Sequence, residues 1–119
     1  MGLRWAGRLL FLTTIILITD LALQPGFATP PSLLGSDKVE HIAAFFTLAM
    51  LARLGWPSFG WLVSGTILAA YGLGIEYLQS LDFVGRTASW ADFVADLIGI
   101  TLGFVTLRIL APRRPAPGE

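Results

Sequence analysis

Four apolar stretches, each close in length to a bilayer-spanning helix, fill most of this 119-residue chain. They run over about 5–24, 37–54, 59–81 and 90–110. A spanning helix needs roughly 20 mainly apolar residues. The third stretch (FGWLVSGTILAAYGLGIEYLQSL) and the fourth (WADFVADLIGITLGFVTLRIL) meet that length easily. The first needs its flank from Trp5 onward, and the second, IAAFFTLAMLARL behind a charged start, has to count its polar first turn. Lipid offers no hydrogen bonds to a backbone, so spanning segments are helices or closed barrels. The stretches lack the period-two alternation of barrel strands. The expected fold is therefore all-α: a polytopic membrane bundle of four transmembrane helices, forming one domain over 1–111, with 112–119 as a flexible tail.

Composition supports the same class. Hydrophobic residues make up 55% of the chain and charged ones 13%, and mean hydropathy is +0.72. A soluble domain needs more charge on its surface, and a disordered chain has far less apolar side chain. The net charge of +0 provides no bulk field for nucleic acid. The absence of Cys excludes disulfides, thiolate metal sites and Cys nucleophiles. Neither a G-x-x-x-x-G-K-[ST] loop nor a strand-borne G-x-G-x-x-G is present, so no nucleotide partner is expected.

Helix breakers separate the stretches: Pro25, Gly26, Pro30 and Pro31, then Gly55 and Pro57, then Gly85. Ser89 with Asp92 three residues on fits a capping box opening the fourth helix, and Ser36 offers the second a less regular cap. Arg4 and Arg8, an apolar run and then Gly26-Phe27-Ala28 also fit a signal peptide with a small-x-small cleavage site.

With alternating helices, Arg4, Arg8, Arg53, Arg108, Arg113 and Arg114 fall on one side and Lys38 and Arg86 on the other. The positive-inside rule then puts both termini in the cytoplasm. The acids fall the opposite way. Asp20, Asp37, Glu40, Glu76, Asp82, Asp92 and Asp96 lie in or near the outer half, and Glu119 lies inside. Asp20 either caps the outer end of the first helix or joins the other acids. Trp5, Trp56, Trp61 and Trp90 sit near helix ends, as interfacial aromatics do.

Three helices bring ionisable side chains to one depth. The second enters from outside with Asp37, Lys38, Glu40 and His41; Asp37 and His41, four apart, share a face. The third carries Glu76 and Gln79 near its outer end, and the fourth enters with Asp92 and Asp96. Arg86 lies in the loop just above. A charged side chain at the centre of a bilayer costs roughly 2.5–3.5 kcal/mol on insertion scales, so these groups should face one another or a watery cavity. Gly65, Ala69, Ala70, Gly72 and Gly74 on the third helix, and Gly99 and Gly103 on the fourth, would let the helices close around them.

Asp37-Lys38-Val39-Glu40-His41, followed by Ala44-Phe45-Phe46-Thr47-Leu48, resembles the opening motif of VanZ-like membrane proteins. Gly74-Ile75-Glu76-Tyr77-Leu78-Gln79 is similar to their Glu/Gln segment. Arg86-Thr87-Ala88-Ser89-Trp90-Ala91-Asp92 and Ala95-Asp96-Leu97-Ile98-Gly99 are similar to the two that follow. Together they cover 37–103, in order and at matching spacing. Asp96 stands where that family often has Asn, which adds an acid to the buried set. The resemblance implies a multi-pass plasma-membrane protein. The member that gives the family its name is linked to low-level resistance to the glycopeptide teicoplanin.

Asp37, Lys38, His41, Glu76, Gln79, Arg86, Asp92 and Asp96 are thus the candidate site. Three readings stand for it. In the first, it binds an envelope or lipid-linked ligand, a glycopeptide among the candidates. In the second, it is the centre of a membrane-embedded hydrolase or transferase acting on a lipid phosphate, with His41 as acid/base and Arg86 on the phosphate. In the third, it joins the helices of a structural or assembly subunit. The leading expectation is a binding protein without a cofactor. A divalent cation among the carboxylates is the alternative way to relieve their repulsion. Oligomeric state is not legible.

Overall fold

The computed structural model describes residues 2–25, 36–81, 84–85 and 89–111. Pro30, Pro31, Asp82, Arg86, Arg113, Arg114, Glu119 and the Gly26-Phe27-Ala28 segment lie outside the described residues, as does the 112–119 tail. Among the described residues the chain is all-α: α1 (Leu3–Ala22), α2 (Asp37–Gly55), a 3-10 turn (Pro57–Phe59), α3 (Gly60–Gln79) and α4 (Trp90–Leu110). At 1.5 Å per residue a 20-residue helix is about 30 Å long, the thickness of the hydrocarbon core.

The contacts at helix ends fix an up-down-up-down arrangement. At one end the Arg8 Nε of α1 donates to the Gly55 carbonyl of α2 at 2.8 Å. The Arg53 guanidinium lies over the Trp61 ring at the start of α3, 4.4 Å from its centroid. At the other end Gln79 of α3 donates to the Ala22 carbonyl of α1 at 3.0 Å, and the starts of α2 and α4 meet. α2 and α4 therefore run parallel, with α1 and α3 antiparallel to both.

Small residues set the closest approaches. A Cβ on Gly99 would lie 2.5 Å from the Ile42 carbonyl oxygen, and one on Gly103 2.8 Å from that of Phe46, so α4 rides directly on the α2 backbone. Gly7 meets Gly55 in the same way, its would-be Cβ 2.9 Å from the Gly55 nitrogen. Gly72 faces Asp96. Gly74 faces open space, contrary to the expectation that it lines the helix contacts: two residues past Gly72 on a helix is a turn of about 200°.

The core consists of Phe45, Leu48, Ala49, Ala52, Leu68 and Ile100, with Phe11, Ile15, Ile18, Tyr71 and Phe104 against it. α2 supplies four of the six because it is the central helix. Of the large apolar side chains left exposed, α1, α3 and α4 supply nearly all, including Ile16, Leu62, Ile67, Leu102 and Ile109, whereas α2 offers Val39. Three helices among the described residues are long and apolar enough to cross a membrane: Leu3–Ala22, Pro57–Gln79 and Trp90–Leu110. α2 has the length but carries Asp37, Lys38, Glu40 and Arg53. Its neighbours carry the lipid-facing surface in its place, so its own composition is free to be polar.

Candidate functional site

The ends of α2, α3 and α4 opposite the Arg8–Gly55 contact hold a continuous polar chain. Its outermost members are Asp37 and Lys38 on the first turn of α2, with side chains 50% and 46% exposed. Lys38 Nζ lies 3.5 Å from Asp37 Oδ2 and forms an ion pair and hydrogen bond with Asp92 Oδ1 of α4. His41 comes next, one turn deeper. Its Nε2 lies 3.7 Å from Asp37 Oδ1 and 3.8 Å from Asp92 Oδ2. Its Nδ1 is hydrogen-bonded at 2.7 Å to Asp96 Oδ1. Asp96 is fully buried, and its other carboxylate oxygen points at Gly72 of α3.

Glu76 enters from α3. Its Oε2 accepts the backbone N–H of Ser89 at 2.9 Å. Ser89 is the N-cap of α4, and its hydroxyl in turn accepts the N–H of Asp92 at 3.3 Å. The expected capping box is thus half formed: the serine caps the helix, but Asp92 turns to Lys38 and Glu76 takes the place it would have filled. Ser36, at the equivalent position before α2, makes no side-chain cap bond.

Gln79 is buried, and its amide nitrogen is committed to the Ala22 carbonyl. It ties α3 to the end of α1 rather than donating to the His41 group. Asp20 stays at the surface beside the Gln24 amide, which donates to it at 3.4 Å. Arg86 lies outside the described residues. Two polar groups escape the sequence reading, the first in the cluster and the second beside the core. One is the Ser89 backbone N–H, which no side-chain pattern reports. The other is Tyr71, whose hydroxyl meets that of Thr19 on α1 while its ring lies 5.9 Å from Phe45. Its signal was a phenol in an otherwise apolar run.

Two buried carboxylate oxygens, Glu76 Oε1 and Asp96 Oδ2, have no hydrogen-bond partner among the described residues. Among the described residues, four carboxylates and one ammonium leave three negative charges with His41 neutral, or two with it protonated. Two sets of donors converge on the imidazole: Asp37, His41 and Asp92 near the surface, and His41, Glu76 and Asp96 beneath. In chemical terms this is an imidazole oriented by a buried carboxylate and surrounded by hydrogen-bond acceptors. At the opposite end of the bundle a separate open groove of about 580 Å³ is lined by Arg4, Trp5, Arg8 and Arg53 and does not communicate with these residues.

The fold and this cluster define a class: a polytopic helical membrane protein with an ionisable group of side chains buried at one end. Within that class, the VanZ/LLP1 family model matches residues 4–111, and the chain belongs to this family. No curated protein and no solved structure matches the chain.

Proposed function

We propose that this VanZ-like protein resides in the plasma membrane and binds a cell-envelope or lipid-linked ligand at the outer-half cluster of Asp37, Lys38, His41, Glu76, Asp92 and Asp96. One observation carries the reading. The polar chain is graded, from half-exposed Asp37 and Lys38 to fully buried Asp96. Residues serving only to join helices gain little from an exposed end, because water there weakens the ion pairs it reaches. The buried end offers acceptors and Lys38 offers a donor at the exposed end. A suitable ligand brings hydrogen-bond donors inward and an acidic or carbonyl group to Lys38. Lipid-linked wall precursors and glycopeptides carry both kinds of group.

The test is binding to the full chain in nanodiscs. The probes are a lipid-linked wall precursor, teicoplanin, phosphatidylglycerol and phosphatidylethanolamine. Saturable binding of the precursor or the glycopeptide, weakened more than about tenfold by Lys38→Gln or Asp37→Asn, supports the reading. No saturable binding across the panel, with variants altering stability alone, returns the cluster to a purely structural role.

A second reading rests on a different observation. Asp96 holds His41 through Nδ1 and leaves Nε2 toward Asp37 and Asp92, at 3.7 and 3.8 Å, so an imidazole acting as general base would work through Nε2 there. A hydrolase or transferase acting on a lipid phosphate would use it so. Turnover of a lipid phosphate by the purified protein, abolished in a folded His41→Ala variant, would favour this enzyme over a binding protein.

A further inference from the structure

Taking the cluster as a ligand site, we infer that His41, Glu76 and Asp96 hold a divalent first-row transition cation, Zn²⁺ or Mn²⁺, at its floor. The three residues come from α2, α3 and α4, and one donor atom from each lies within 4.8 Å of the others. An acidic cluster alone would not single out a metal. The independent observation is that Glu76 Oε1 and Asp96 Oδ2 lack hydrogen-bond partners among the described residues, although Glu76 is 7% exposed and Asp96 0%. A buried acceptor without a donor is costly, and a buried carboxylate more so.

Their sister oxygens are already in use, Glu76 Oε2 on the Ser89 N–H and Asp96 Oδ1 on the imidazole. The Ser89 contact is of the kind that orients a carboxylate ligand around an ion, whereas the Nδ1–Oδ1 contact joins two of the proposed ligands, so the ion displaces the proton they share. The outer set, Asp37, His41 and Asp92, is the weaker candidate because Lys38 already neutralises Asp92 and Asp37 is half-exposed. A dication also removes two of the negative charges that the ammonium leaves uncompensated among the described residues. One imidazole nitrogen with two carboxylates is a mixed donor set that favours Zn²⁺ or Mn²⁺ over Ca²⁺ and Mg²⁺, which prefer all-oxygen shells.

The experiment strips the full chain in detergent with EDTA, dialyses it against Zn²⁺, Mn²⁺, Ca²⁺ or Mg²⁺, and reads bound metal by mass spectrometry and the unfolding midpoint. The expected result is about one equivalent of Zn²⁺ or Mn²⁺ per chain, with a raised midpoint, by the rule that a ligand binding only the folded state stabilises it. Glu76→Gln keeps a carbonyl for the Ser89 N–H but should lose more than about tenfold in metal affinity. Wild-type protein that takes up neither Zn²⁺ nor Mn²⁺, whether or not it takes up Ca²⁺ or Mg²⁺, overturns the inference. So does Asp96→Asn protein that is metal-free and more stable than wild type dialysed against Zn²⁺ or Mn²⁺, the mark of a carboxyl held protonated. Metal uptake needs no lipid ligand. Loaded protein that binds no envelope ligand therefore counts only against the proposed function. Ligand binding with no metal uptake counts only against the cation.

Discussion

Glu76 of α3 accepts the backbone N–H of Ser89, the N-cap residue of α4, at 2.9 Å. A helix start leaves orphan N–H groups, and a capping box satisfies the N-cap's own amide from the third helical residue. Here a neighbouring helix does that work, releasing Asp92 to pair with Lys38 of α2. The start of α4 is thereby tied to α3 and α2 at once. The same few atoms close the helix end, join three helices and assemble the polar cluster.

Replacing Glu76 should therefore have an effect that depends on what replaces it. Glu76→Ala leaves the Ser89 amide without its acceptor in a partly buried setting and should cost about 1–3 kcal/mol of stability. Glu76→Gln preserves an acceptor and should cost less. Chemical denaturation in detergent, followed by circular dichroism, compares the two. Equal losses would show that the carboxylate's charge, and not the cap bond, is what α4 depends on.

The α2–α4 contact makes a second prediction through its glycines. A Cβ on Gly99 or Gly103 would collide with carbonyl oxygens of α2, at 2.5 and 2.8 Å, and backbone does not yield as a flexible side chain does. Gly99→Ala and Gly103→Ala should each lower stability by about 1–3 kcal/mol as the helices part. Gly74→Ala meets nothing within 4 Å and lies mid-helix. It should be neutral or add up to about 1 kcal/mol, the usual helix preference for Ala over Gly. Unfolding midpoints of the three variants, measured side by side, decide it.

How far the sequence could be read follows from the range over which each cause acts. The start of α4 is local, since Ser89 caps it and Trp90 begins an uninterrupted apolar run, and it was legible. So was the common depth of His41, Glu76 and Asp96, because charges in apolar segments have few places to go. The rotation of each helix about its axis was not legible. That rotation sends Gln79 to Ala22, aims the imidazole Nδ1 at Asp96, and turns Gly74 outward while Gly72 faces Asp96. It is set by packing between residues far apart in the chain. The central position of α2 was illegible for a related reason. Its weak span signal reads as marginal alone, and only the exposed apolar faces of α1, α3 and α4 explain how it can be polar.

The Lys38–Asp92 pair joins α2 to α4 across an environment that changes from half-exposed at the ammonium to buried at the carboxylate. Solvent at the lysine end discounts its energy, while the buried end makes an unpaired Asp92 costly. Lys38→Met should lose about 1–2 kcal/mol. Asp92→Asn in the Lys38→Met background should restore part of that loss. A double-mutant cycle on unfolding free energies isolates the coupling. Strict additivity would mean that the two side chains are neighbours without energetic interaction.

Orientation in the membrane is testable because the chain contains no cysteine of its own. The arginines Arg4, Arg8, Arg53 and Arg108 lie at the end of the bundle opposite His41, so the positive-inside rule puts the cluster on the outer side. Single thiols at Gly2→Cys and Phe59→Cys mark the arginine end, and one at Ser36→Cys marks the start of α2. In intact cells a membrane-impermeant maleimide should react with Ser36→Cys alone. After permeabilisation it should react with all three. The reverse pattern would put Lys38 and Asp37 on the cytoplasmic side, out of reach of any ligand carried in the outer leaflet, and the proposed function would fall while the fold and the family assignment stood.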